Sequence, residues 1–229
     1  MRDNLILLLF PPLLFAVVMA AGSLIVGFGV QGEPEALAEA IPRAIPWFLL
    51  INHVLLGAWL MRRIRRAELT ALDLGFSNAN VAQEVGIGAL VAVPLVALNQ
   101  VVLLPAIEGL GRRFGDYVPS GAVGDALGAG LVPTVIAAVL LAPVIEEALY
   151  RGVAWRWLEE RSGPAVAIGA TSVAFMLLHW AQGFWPMLYT GVAGALFGAV
   201  RWWRGSLWAP VVVHLAFNAV ELAMLEPVQ

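Results

Sequence analysis

Glu146 and Glu147 are followed four residues later by Arg151, all at the end of an apolar run from Leu131 to Ile145. His179 and His214 also lie inside apolar runs. Carboxylates and imidazoles are the side chains that most often move protons in catalysis. An ionisable residue at membrane depth costs roughly 2.5–3.5 kcal/mol on insertion scales, so such residues are rare and usually functional. Residues four apart share a helix face. Glu147 and Arg151 should therefore form an internal ion pair. Glu146 points about 100° away and is left without that partner. His214 and Asn218 share a face by the same spacing, as do Phe175 and His179.

The composition says what surrounds these groups. Of 229 residues, 61% are hydrophobic and 13% charged, with a mean hydropathy of +0.85. Soluble domains carry about 25% charged residues, so the chain reads as a polytopic membrane protein. The absence of cysteine excludes disulfides, a thiolate nucleophile and a thiolate metal site. The net charge of −3 implies no particular partner, and no nucleic-acid partner is expected.

A span needs roughly 20 apolar residues. Candidate segments are 5–30, 45–61, 85–106, 131–150, 164–181, 186–201 and 207–225. They predict an all-α polytopic bundle of about seven spans, in a single integral membrane domain over 1–229. The first segment is too long for a signal h-region and is read as a retained span, bent at Pro11-Pro12. Residues 33–44 suggest a short interfacial helix, and 107–126 the longest loop. Alternating loops place ten arginines on one side (Arg2, Arg62 to Arg66, Arg151, Arg156, Arg161, Arg201 and Arg204) and three on the other (Arg43, Arg112 and Arg113). The positive-inside rule then puts the N-terminus in the cytoplasm, the C-terminus outside, and the protein in the cytoplasmic membrane.

Depth can be counted as well. Ser162-Gly163-Pro164 is a turn signal, and Glu147 and His179 each lie sixteen residues from Gly163. In an antiparallel helix pair, equal offsets mean equal depth. Counting from Arg156, Glu147 lies roughly 13 Å below the surface, and counting from Gly205, so does His214. A polar cavity within the membrane is the expectation. Gly191, Gly194 and Gly198 should let neighbouring helices approach closely. Asn52-His53, at similar depth, and Asn99-Gln100 read as bundle hydrogen-bonding residues, with cavity lining as the alternative. Glu221 reads as interfacial.

Ala142-Pro143-Val144-Ile145-Glu146-Glu147, with Arg151-Gly152 after three further residues, resembles the first motif of the CPBP intramembrane proteases, the CAAX- and bacteriocin-processing group. Phe175 and His179 resemble the second motif, and His214 and Asn218 the third. Gly205-Ser206-Leu207-Trp208 and Leu74-Gly75-Phe76 are also similar. The resemblance spans a protease-like core at about residues 70–222. It implies peptide-bond hydrolysis inside the membrane by a glutamate-activated water. Glu146 would be the general base, and His179 would help hold the water. His214 and Asn218 would stabilise the oxyanion, with Glu147 and Arg151 in support. Two histidines and a glutamate are also a legitimate zinc set. If the chemistry is zinc-dependent, the ligands would be His179, His214 and Glu146; no H-E-x-x-H pair is present, and a metal-free mechanism is favoured.

The sequence therefore reads as an intramembrane endopeptidase acting on membrane-embedded or lipidated peptides, a prenylated CAAX tail among them. Its site would face the cytoplasm or the inner leaflet. The alternative is a non-catalytic membrane scaffold or sensor that retains the fold. A proton-coupled transporter is a third reading, against which stands the lack of an inverted repeat.

Overall fold

The computed structural model describes residues 2–76, 80–115 and 130–224, with side chains from residue 6 onward. Among these residues the chain is all-α, without strands, and has seven long helices. They are α1 (Arg2–Gly29), α2 (Pro34–Arg66), α4 (Val81–Phe114), α5 (131–162), α6 (164–178), α7 (Phe184–Arg204) and α8 (Trp208–Met224). A single-turn helix, α3 (Ala71–Leu74), precedes α4. Helices Ile6–Gly29, Pro34–Arg66, Val81–Phe114 and the α5–α6 stretch Leu131–Leu178 are long and apolar enough to cross a membrane. Large apolar side chains such as Phe28, Ile25, Leu90 and Val101 are 71–83% exposed. In water so much apolar surface would be a liability; in a bilayer it faces lipid.

Gly163 separates α5 from α6. Its φ of 78° and ψ of 172° lie outside the helical range, where a glycine turns the chain without a Cβ clash. Pro164 then opens the next helix, where its missing N–H costs nothing. Two boundaries differ from expectation. The segment 33–44 is not a separate interfacial helix but the first turns of α2, which runs through Pro42 and Pro46 without stopping. Prolines persist in such helices when packing against neighbours offsets the lost hydrogen bonds, and Pro46 is buried. The loop expected at 107–126 is helical through Phe114, and residues 116–129 lie outside the described region, as do Ser77, Asn78 and residue 225.

Three stretches widen into π-helical turns: Asn99–Leu103 in α4, and Val135–Leu141 and Ala148–Ala154 in α5. Such turns concentrate at functional sites because they release backbone carbonyls and re-aim side chains. Here the Ala138 carbonyl accepts from Asn218 Nδ2 (2.7 Å) and the Arg151 carbonyl from Arg201 Nε (3.1 Å). Glu146 and Glu147 stand between the two π-helical stretches of α5.

The core gathers Leu7, Leu56, Leu149, Tyr150, Phe175, Phe197, Val213 and Phe217 from α1, α2, α5, α6, α7 and α8. Helices α4 and α8 approach closely at Gly88, where an added Cβ would lie 2.9 Å from the Ala209 carbonyl. At the arginine-rich end, Arg204 pairs with Glu84 (2.6 Å) and Arg156 with Asp73 (2.6 Å). Asp73 also closes a capping box with Thr70. The hydrogen bonds from Thr70, then Arg156, hold its carboxyl well below the usual range. The Gly75 carbonyl accepts from the Leu207 amide (2.9 Å), tying this corner to the start of α8.

Candidate active site

Glu147 and Arg151 are fully buried and joined by Arg151 Nη1–H to Glu147 Oε1 at 3.0 Å, one helical turn apart. In so apolar a place further hydrogen bonds help to offset the cost of desolvating the two charges. Arg151 Nη2 donates to the Gly194 carbonyl at 2.6 Å, a contact that needs the bare glycine of α7. A Cβ at Gly194 would stand 3.0 Å from Arg151 Nη2 and 3.1 Å from Phe175 Cδ1. The guanidinium lies 5.0 Å from the centre of the Phe175 ring and 5.8 Å from that of Phe197, adding cation–π attraction on both.

His214 enters from α8. Its Nδ1 is 3.1 Å from Glu147 Oε1, so one carboxylate oxygen accepts from both Arg151 and His214. Its Nε2 lies 3.8 Å from Glu146 Oε2. Phe197 stacks on the imidazole at 4.6 Å and Phe175 meets it edge-on at 5.5 Å, which fixes the ring plane. His179 ends α6 half-buried, with Nδ1 2.9 Å from the Phe175 carbonyl. That bond holds the proton on Nδ1; among the described residues Nε2 makes no hydrogen bond, and the ring is within electrostatic reach of Glu146.

The structure thus gathers Glu146, Glu147, Arg151, His179 and His214, the residues singled out from the sequence. Asn218 lies one turn beyond His214 with its amide on the Ala138 carbonyl. One expectation is corrected. Glu146, read as unpartnered, has its Oε1 3.2 Å from Nε2 of buried His53, supplied by α2. Counting along α5 could not reveal a partner 93 residues away. Near depth is the only signal, and it leaves cavity lining as the alternative to bundle bonding for His53. Among the described residues, Glu147 Oε2, Tyr150 Oη and Arg151 Nε are buried without a hydrogen-bond partner.

The zinc alternative finds no support in the side-chain geometry. Among the described residues no three His, Asp or Glu groups are arranged to hold a metal ion.

Residues 128–220 match the family model for type II CAAX prenyl endopeptidase Rce1-like proteins. The resemblance to the CPBP intramembrane proteases is therefore shown over that segment, which contains every residue of the three motifs. It supports, in general terms, a membrane-embedded protease of the CAAX type. Helices α1 to α4, with His53 and the Leu74-Gly75-Phe76 corner, lie outside the matched residues. No curated protein and no solved structure matches the chain.

Proposed function

We propose that the chain is an intramembrane endopeptidase that hydrolyses a peptide bond of a membrane-tethered or hydrophobic peptide, using water activated by Glu146. The supporting observation is the meeting of Glu146, Glu147 and His214 from two helices, with oxygens and nitrogens 3.1–3.8 Å apart in a buried setting. Glu146 takes a proton from water as the oxygen attacks the scissile carbonyl, forming the C–O bond. His179, with Nε2 unengaged, holds that water. The oxyanion that develops faces the second amide hydrogen of Asn218 and His214, whose Nε2 donates when both ring nitrogens carry a hydrogen; such donors have a large effect where water is scarce. When the tetrahedral species collapses, the C–N bond breaks and Glu146 returns its proton to the leaving amine. Glu147 accepts Nδ1–H of His214 and so directs Nε2 toward the reaction. Arg151 compensates the charge of Glu147 and fixes its position.

The arginines at the ends of α2 and α7, with Arg156 of α5, gather at one end of the bundle, which supports a cytoplasmic N-terminus and a site facing the cytoplasm or inner leaflet. Prenylated CAAX peptides are one substrate class this reading allows, and unmodified hydrophobic peptides another. The test is cleavage of a farnesylated and an unmodified peptide by purified protein, with and without chelator. Cleavage that survives chelator and disappears in Glu146→Gln is expected. Equal product from Glu146→Gln, or loss of all activity with chelator, overturns the reading.

A further inference from the structure

We propose that His53 is a positioning residue for Glu146, so that the site is completed by α2, a helix outside the family-matched segment. The proposal rests on the reading of Glu146 as the base. Two bonds define the imidazole. Nδ1 lies 2.8 Å from the Leu49 carbonyl, one turn earlier on α2, and a carbonyl can only accept, so Nδ1 carries a hydrogen. Nε2 lies 3.2 Å from Glu146 Oε1, and a hydrogen must lie between them. The ring cannot rotate without losing both bonds.

The packing agrees with this role. Helix α2 lies along α5 on the face that carries Glu146. An added Cβ at Gly57, one turn after His53, would be 3.0 Å from Ile145 Cδ1, so the Ile145 side chain packs onto α2 there. His53 is itself buried, at 7% exposure. With Oε1 held from this side, Oε2 is the oxygen that faces His214 and the space in which water would be activated. A glutamate has three rotatable bonds, and displacement of a catalytic group by about 1 Å can cost on the order of 100-fold in rate.

The side chains that test the role differ in reach. Glutamine places an amide nitrogen near the position of imidazole Nε2, whereas asparagine reaches only the position of Nδ1. Peptide cleavage by the full chain in detergent is measured for His53→Leu, His53→Gln and His53→Asn, with kcat and KM separated and thermal unfolding recorded. His53→Leu and His53→Asn should lose about 10- to 100-fold in kcat with KM little changed. His53→Gln should recover to within a few-fold of the original chain. Equal kcat in the Gln and Asn variants, at any level, overturns the proposal, and so does a loss confined to KM. These comparisons decide the matter even where His53→Leu fails to fold. Activity that depends on Glu146 but is indifferent to residue 53 leaves the endopeptidase reading standing and removes this one alone. A chain that cleaves no peptide removes both.

Discussion

Glu146 and Glu221 are both carboxylates turned into the bundle, yet they keep different company. Glu221 lies seven residues beyond His214 on the same face of α8, roughly 10 Å farther along the axis. Its Oε1 accepts from the Tyr189 hydroxyl and from Asn99 Nδ2 (3.2 Å), two donors that stay neutral. Glu146 instead meets imidazole nitrogens of α2 and α8, with a third imidazole in electrostatic range. Hydrogen bonding is common to both, and Glu221 is half-buried where Glu146 is buried. Only the Glu146 cluster contains partners that can take up and release charge during a reaction. A buried acid among neutral donors ties helices together; one among imidazoles can pass a proton on.

The difference is sharpest at the base itself. Glu146→Gln keeps size and one hydrogen-bonding oxygen but cannot accept the proton of water, so kcat should fall by about 10²–10⁴. Elution and thermal unfolding in detergent should match those of the unsubstituted chain. Comparable loss from Glu221→Gln would erase the contrast.

Arg151 should show the largest effect on stability. Arg151→Met leaves Glu147 buried with His214 as its remaining partner. Breaking one side of a buried pair costs about 3–5 kcal/mol. Denaturant unfolding in mixed micelles measures it. Removing both charges, in Arg151→Met with Glu147→Leu, should restore much of the stability while leaving no activity. That outcome would separate what the pair does for the fold from what it does for His214.

Much of this arrangement is legible in the chain, for physical reasons that also mark where legibility stops. The Glu147–Arg151 pair follows from helical spacing alone, and the α5–α6 turn from a glycine between serine and proline. Depth counting brought Glu147, His179 and His214 to one level, because rise per residue is nearly constant in a helix. Rotation about the helix axis is less secure. A π-helical turn adds a residue to its ring of hydrogen bonds and shifts every later side chain around the axis. α5 has two such stretches around Glu146, and nothing in their composition announces them. The contacts of His53 and Glu221 depend on how whole helices are rotated against one another. Spacing within a single helix, which placed His53 in general bundle bonding and Glu221 at the interface, contains no such information.

A smaller effect should come from Gly194. Alanine gains roughly 1 kcal/mol in helix propensity over glycine. Its Cβ, however, would press on Arg151 Nη2 and the Phe175 ring. The nitrogen is held at 2.6 Å by the Gly194 carbonyl and the ring is wedged against His179 and His214. Overpacking of this kind costs about 1–3 kcal/mol. Gly194→Ala should therefore be destabilised by about 1 kcal/mol net. Unchanged unfolding with full activity would show that the cluster tolerates displacement, and would weaken the case that its geometry is tightly set.

The smallest change should follow substitution at Glu221 itself. Glu221→Gln retains an oxygen that can accept from Tyr189 and Asn99, and it removes an ionisable group that has no ion-pair partner among the described residues. Stability should change by less than about 1 kcal/mol, within the ordinary range of a neutral hydrogen-bond exchange. Because Asn99 and Tyr189 belong to α4 and α7, the test also asks whether that polar knot is coupled to catalysis through α8. Cleavage within about two-fold of the unsubstituted chain, against the much larger loss from Glu146→Gln, is the expected result. A large fall in kcat at unchanged stability would mean that Glu221 is coupled to Glu146 through His214 and α8, and the neutral company of Glu221 would then need a different explanation.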